Sequence, residues 1–409
     1  MKKVCFFMGT PFTKGGEQRV VSVVSNLLID KGYDVSIMCT DMNAPRDNKL
    51  YNLSDKVKIE YVRGYNNKFF LKIRQKRYKM YEENLKTGKY KNSLLIQKFI
   101  NCDPISKLLL VHAFNKGDYD YVISLSSTYN CMLAGISDML NAKTIGWQHS
   151  CSERYFNLPG TRHYNQDKFT KYMFGKLDSY VVLTEHDRRY IKRRFNVDTI
   201  VINNPKSIIS DEVSKLNKKQ FLAVGRFVDV KNFSKMIDMF NEYHKNNNEW
   251  KLTIVGEGPL KDEYIQKIKE YKLEKYVKIK DYTYNIEKYY LNSSIYLMSS
   301  LYEGWGMVLS EAIEFGLPII SFNLSSAPEM IKNNYNGYIV KTENEFINKM
   351  NEISQDKEKI NEFGINSKYI SKKFDNNFII EKWLNLFKNL SSLQERPMLN
   401  KKYSVINNN

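Results

Sequence analysis

The stretch Ile295-Tyr296-Leu297-Met298-Ser299-Ser300-Leu301-Tyr302-Glu303-Gly304-Trp305-Gly306-Met307-Val308-Leu309-Ser310-Glu311-Ala312 reads as strand, loop and helix in succession. Ile295–Met298 is a short apolar run of strand length. Ser299–Gly306 is a glycine-containing loop, and Met307 opens a helix. Glu303 therefore sits in a loop at the carboxyl end of a strand, where open α/β sheets bind ligands, while Glu311 lies inside the following helix. Gly304 and Gly306 let backbone N–H groups approach a ligand closely, and the helix start favours an anion. Taken alone, the two glutamates read equally as a solvated loop residue and a helix-surface residue. Their neighbours decide between the two.

Working outward, the same alternation runs along the whole chain. A first series of apolar runs comprises Val4–Met8, Val35–Cys39, Val57–Val62, Tyr121–Leu125, Thr144–Trp147, Tyr180–Leu183 and Ile200–Ile202. A second comprises Phe221–Val224, Leu252–Val255, Val277–Ile279, Ile295–Met298, Pro318–Phe322 and Tyr338–Val340. Helix-length segments such as Gln18–Lys31, Phe233–Lys245 and Leu260–Tyr271 separate them. This pattern builds parallel sheets covered on both faces, an α/β class with two Rossmann-like domains. The series meet at Asn203-Asn204-Pro205, which places one domain at 1–203 and the second at 204–373. A last amphipathic helix follows at 374–390, and a polar, flexible tail at 391–409. Two such domains are expected to face each other across a cleft at the carboxyl ends of their strands. The segment between Val62 and Asp118 is too long for a simple crossover and predicts extra helices.

Two further strand ends in the second half carry the right chemistry. Val224-Gly225-Arg226 ends one strand, and Lys231-Asn232 opens the next helix. A guanidinium fork and an ammonium point charge at one strand–helix junction suit a diphosphate. Val255-Gly256-Glu257-Gly258-Pro259 ends the next strand; alone, this Gly-x-Gly marks only a tight turn, but as the third such junction of the domain it makes Gly256 and Gly258 candidate donor-binding residues. In the first half, Thr13-Lys14-Gly15-Gly16-Glu17-Gln18-Arg19 joins the first strand to the first helix. It lacks the Gly-x-Gly-x-x-Gly spacing of a dinucleotide fingerprint. Gly146-Trp147-Gln148-His149 ends another strand, and His149 is placed to bond a sugar hydroxyl, although a lone histidine is more often structural. Asp118-Tyr119-Asp120 spells the Asp-x-Asp string of metal-dependent transferases. It precedes its strand, at the amino end, and no metal is assigned to it.

Together these segments resemble the family-4 glycosyltransferases of GT-B fold, from Met1 to about Leu390. The resemblance implies a retaining transfer of a hexose or N-acetylhexosamine from a nucleotide diphosphate sugar, UDP-linked, onto a glycan acceptor. Residues 1–203 would then be the acceptor domain and 204–373 the donor domain, with the last helix packing back on the first. Glu303 and Glu311 look like the family's Glu-x7-Glu motif, Glu303 contacting the transferred sugar and Glu311 the ribose. Arg226 and Lys231 look like its basic pair on the diphosphate. The backbone of Gly304, Trp305, Gly306, Met307, Val308 and Leu309 would serve the sugar and phosphates. Gly16 resembles part of its Gly-Gly-x-Glu-Arg motif, with Gln18 where glutamate is commoner, and His149 its strand-end histidine at the donor hexose. The chain departs from the family around Lys280-Asp281-Tyr282-Thr283, which lacks the usual glycine near the base. No organic cofactor and no divalent metal is implied.

Composition sets the remaining bounds. No apolar run approaches the length of about 18 residues that spans a bilayer. Met1–Gly9 is too short for a signal peptide and reads as a buried strand. The five cysteines are odd in number and scattered, which fits a reducing cytoplasm. The formal charge of +18 draws nucleic acid, anionic lipid or phosphorylated substrates without choosing among them. Basic residues cluster with aromatics from Lys68 to Lys98 and again at Arg188–Arg194. Each is either a solvated helix face or a surface resting on anionic membrane. The second option points to a lipid-linked acceptor in capsular or other surface polysaccharide assembly, on the inner face of the plasma membrane. The competing readings are a GT-B enzyme with a soluble acceptor, a nicotinamide dehydrogenase and a nucleic-acid-binding protein. The missing fingerprint disfavours the dehydrogenase. The basic runs lie outside the strand-end motifs, which disfavours nucleic acid as a partner.

Overall fold

The computed structural model describes residues 1–65, 68–161 and 163–392. Two compact units emerge: Met1–Pro205 together with the chain from Asn376 onward, and Lys206–Asp375. The first holds a seven-stranded parallel sheet. Its strands are β1 (Lys3–Met8), β2 (Asp34–Cys39), β3 (Lys58–Tyr61), β4 (Tyr121–Leu125), β5 (Lys143–Trp147), β6 (Ser179–Val182) and β7 (Ile200–Val201), in the order β3-β2-β1-β4-β5-β6-β7. The second holds six parallel strands, β8 (Gln220–Val224), β9 (Lys251–Val255), β10 (Val277–Lys280), β11 (Ile295–Met298), β12 (Ile319–Phe322) and β13 (Gly337–Val340). Their order is β10-β9-β8-β11-β12-β13.

Both sheets are doubly wound, because helices cover both faces and the strand order reverses once. The reversal falls between β1 and β4 in the first unit and between β8 and β11 in the second. Loops diverge there and leave a crevice at the carboxyl ends of the strands. The apolar runs become strands because both faces of a parallel sheet are buried: Val4, Phe6, Val122, Ile123, Leu222, Ile254 and Ile295 are all fully buried.

The long segment before β4 folds as α2 (Lys68–Thr87), α3 (Leu94–Asn101) and α4 (Pro104–Gly117), after the first helix α1 (Gly16–Asp30). Asp103 caps α4 by accepting from the Ser106 N–H at 2.8 Å, and Pro104 occupies the first turn. The same carboxylate receives Arg77 of α2 at 3.0 Å, which ties the basic helix to the fold. Asp118 ends α4 in a left-handed conformation at φ 52°, and Asp120 accepts from the Lys3 N–H at 2.7 Å. Both carboxylates therefore work at a helix-to-strand connection, at the amino end of β4.

The helix Asn376–Ser392 belongs to the first unit. Trp383 meets Trp147 of β5 edge-on at 4.8 Å, Phe387 stacks on Tyr121 of β4 at 4.3 Å, and Glu381 pairs with Lys31 at 2.8 Å. Burying each large apolar side chain here contributes about 1.5–3 kcal/mol. The helix includes Ser391 and Ser392, the first two residues of the expected tail; residues 393–409 of that tail lie outside the described residues.

Candidate active site

In the second unit, the chain leaving β8 and the chain leaving β11 meet at the reversal of strand order. Leu301 N donates to Val230 O at 2.9 Å, and the Ser299 hydroxyl donates to Lys231 O at 2.8 Å. The two loops are thus stitched by one backbone bond and one serine hydroxyl. Across the stitch, the Lys231 ammonium pairs directly with the Glu303 carboxylate. Both side chains are largely withdrawn from water, with 14% and 12% exposure. Ser325, after β12, donates to Glu303 O at 3.0 Å and fixes that loop from the other side.

The sequence named both residues but not their contact. The resemblance gives Lys231 to the donor diphosphate together with Arg226; in the structure its ammonium also meets Glu303. Arg226, at the end of β8, is exposed, and its side chain makes no hydrogen bond or ion pair among the described residues. It is the guanidinium this crevice leaves available.

Trp305 is buried against Phe374, with ring centroids 5.1 Å apart, so it props the loop from behind. Gly306 takes φ 76°, the left-handed conformation that starts the helix Met307–Glu314, and Leu309 N donates back to its carbonyl at 2.8 Å. Gly304, Met307 and Val308 are half-buried along the same turn. Inside the helix Glu311 is almost fully buried; its Oε2 accepts from Tyr290 at 2.8 Å and its Oε1 from Ser207 at 3.1 Å. These bonds from Tyr290 and Ser207 fix the orientation of the Glu311 carboxylate.

Gly256 and Gly258 are explained by packing. A Cβ on Gly256 would lie 1.8 Å from Gly225 O, and one on Gly258 would lie 2.5 Å from Phe227 O. The loops after β8 and β9 approach so closely that only glycine fits.

The sequence reading missed Glu314. It is buried and receives Lys206 at 2.7 Å, Lys368 at 2.8 Å and the Ser371 hydroxyl at 2.9 Å. Burial works against its ionisation, but hydrogen bonds from Lys206 and Lys368 outweigh it and hold the carboxyl below its ordinary range. The available signal was its spacing: Glu314 falls three residues after Glu311, on the same helix face.

Gly16 and His149 belong to the first unit. Gly16 is the exposed first residue of α1, and the Gly15 N–H before it donates to Tyr51 at 2.9 Å. Glu17 follows, half-buried, and desolvation pushes its carboxyl up to about 7. The His149 ring lies 4.4 Å from the Trp147 ring, and its buried Nε2 has no hydrogen-bond partner. Desolvation lowers its pKa to about 3, so the ring is neutral near pH 7.

Comparison with known proteins now bears on this arrangement. Residues 206–369 match the family described as glycosyl transferases group 1. The amylovoran biosynthesis glycosyltransferase AmsD of Erwinia amylovora is 36% identical over 182 residues, 42% of this chain and 51% of that protein. An uncharacterized glycosyltransferase of Haemophilus influenzae is 27% identical over 389 residues, 94% of this chain and 99% of that one. The chain has the GT-B fold, and its second unit carries the segment that matches the group 1 glycosyl transferases. The poly(ribitol-phosphate) alpha-N-acetylglucosaminyltransferase of Staphylococcus aureus is 29% identical over 259 residues, 60% of this chain and 52% of that one. The chain thus spans about half the length of two of these three relatives. The crystal structure of TarM superposes with a TM-score of 0.73 at 19% identity, over 95% of this chain and 99% of that one. An S. aureus TarM mutant in complex with Fondaparinux, alpha-GlcNAc-glycerol and UDP gives a TM-score of 0.72 at 19% identity, over 95% and 100% of the two chains. These superpositions establish the fold. Among the described residues, no helix is long and apolar enough to cross a membrane.

Proposed function

We propose that this chain is a family-4 glycosyltransferase. It moves a hexose or N-acetylhexosamine from a UDP-sugar to a glycan acceptor, with retention of configuration at the anomeric carbon. The single observation that carries this reading is the Lys231–Glu303 pair bridging the β8 and β11 loops at the strand-order reversal, with Arg226, unpaired among the described residues, at the end of β8. A nucleoside diphosphate needs cationic and N–H donors, and Arg226 with the start of helix Met307–Glu314 supplies them. Lys231 holds Glu303 in one orientation through Oε1, leaving Oε2 to accept from hydroxyls of the transferred sugar. Glu311, already fixed by Tyr290 and Ser207, accepts from the ribose hydroxyls.

In this reading the leaving diphosphate oxygen takes the acceptor's proton as the new bond forms, and Arg226 stabilises the charge that develops on it. His149 bonds the donor hexose as a neutral imidazole. Neither a divalent metal nor an organic cofactor takes part. The N-acetylglucosaminyltransferase relative of S. aureus and the UDP bound to the TarM mutant support a UDP-sugar donor. The amylovoran enzyme supports surface polysaccharide as the product. The basic helix α2, with Tyr78 exposed, supports a lipid-linked acceptor met on the inner face of the plasma membrane.

The test is turnover of a panel of UDP-sugars on lipid-linked acceptors, with product stereochemistry read by NMR. Glu303→Ala and Arg226→Ala are each expected to lower turnover by at least about 100-fold, the scale of losing one transition-state contact. Near-normal turnover in both variants, or an inverted anomeric centre in the product, refutes the assignment.

A further inference from the structure

A second cavity opens in the same unit beside the crevice, at the carboxyl ends of β11, β12 and β13, and encloses about 740 Å³. That volume lies in the range of about 300–1,000 Å³ that accommodates small-molecule ligands. It starts at Asn232, next to Lys231, and at Leu301, two residues before Glu303, so it adjoins the Lys231–Glu303 pair.

Its walls carry an uncommon set of groups. Asn232, Asn323 and Asn344 line it together with Lys341, and none of these four side chains makes a hydrogen bond or ion pair among the described residues. Their backbones are nonetheless fixed. Asn323 N donates to Val340 O at 2.9 Å, and Lys341 N donates to the Glu345 carboxylate at 2.7 Å. Thr342 caps the helix that carries Asn344 by accepting from Glu345 N at 3.2 Å. Phe322 supplies an apolar wall, packed on Phe346 at 5.1 Å.

Rigidly mounted amides with unused donors and acceptors match the vicinal hydroxyls of a sugar, and an aromatic wall matches its C–H face. A phosphate would want converging cations. Here the single free ammonium, Lys341, shares the cavity with the Glu343 carboxylate, which pairs outward with Lys235 at 3.2 Å. We infer that this cavity is a carbohydrate subsite that holds a neutral sugar unit of the glycan flanking the one being joined. The inference rests on the proposed function for its glycan, not for the chemistry of the site itself.

Saturation-transfer NMR tests it, using the whole chain with 1 mM UDP present and two probes, N,N′,N″-triacetylchitotriose and maltotriose. At least one trisaccharide should receive saturation from the protein. Asn323→Ala combined with Asn344→Ala should weaken that binding at least about fivefold, as expected for two lost neutral hydrogen bonds. Both positions are exposed, so the fold should survive, and an unchanged thermal shift with UDP verifies it. No signal from either trisaccharide, or equal binding by the double variant, overturns the inference. Displacement of the bound trisaccharide by inorganic phosphate also overturns it, by making the site an anion site. A trisaccharide signal lost in the double variant, with no UDP shift in either protein, upholds the subsite while refuting the donor reading.

Discussion

Substituting either member of the Lys231–Glu303 pair should destabilise the carboxyl-terminal unit, and substituting both should cost less than the sum. At an effective dielectric constant of about 20, two unit charges 4 Å apart attract by about 4 kcal/mol. Desolvation of both groups consumes much of that, so the intact pair contributes little net stability. Removing one partner is different, because the other charge is then left in a poorly solvated loop. Such losses run to about 3–5 kcal/mol for fully buried pairs. With 12–14% of each side chain still exposed, about 2–3 kcal/mol is expected for Glu303→Gln and for Lys231→Met. The double variant should recover at least about 1 kcal/mol of the summed loss, as coupled neighbours do. Urea unfolding without nucleotide, followed by intrinsic fluorescence, measures all three variants against the parent chain. Strict additivity would refute the reasoning, since it would mean that the two charges do not interact in solution.

Two further outcomes follow from individual sites. Gly256→Ala places a Cβ 1.8 Å from the Gly225 carbonyl and should cost at least about 2 kcal/mol, whereas Gly175→Ala, with nothing within 4 Å, should be neutral or slightly stabilising; chemical denaturation compares them. Glu17, whose carboxyl is raised to about 7 in the fold, binds protons there that the unfolded chain has released. Its contribution to stability is therefore full below about pH 4.5 and is lost as pH rises to about 7. Thermal unfolding of Glu17→Gln across that window should show a shallower fall than the parent, and parallel curves would contradict the assignment.

The sheets were legible in the sequence for a physical reason. Parallel strands covered on both faces must be apolar throughout, so Val4–Met8 and Phe221–Val224 stand out as continuous runs, and all thirteen runs became strands. Their alternation with helices then allows few topologies. The candidate site was legible as residue types at strand ends, because a doubly wound sheet gathers those ends. Its wiring was not. Lys231 and Glu303 lie 72 residues apart, and the Leu301 N–H and Ser299 hydroxyl bonds between their loops bring them together. The Glu314 network draws on Lys206 from the segment before β8 and on Lys368 and Ser371 from one helix near the end of the unit. Gly256 and Gly258 were read as possible ligand contacts, but their requirement for glycine comes from close loop packing, which no single-chain spacing reveals. The free asparagines of the second cavity carry no motif, because hydrogen-bonding capacity left unused is a property of the folded surface.

Calorimetric titration of the purified chain with UDP, beside GDP, ADP and NAD, tests the central claim most directly. One uridine site is predicted, with affinity falling at least about tenfold in Arg226→Ala, the equivalent of about 1.4 kcal/mol for a charged contact. UDP binding that Arg226→Ala leaves unchanged, or binding of NAD alone, would contradict the account.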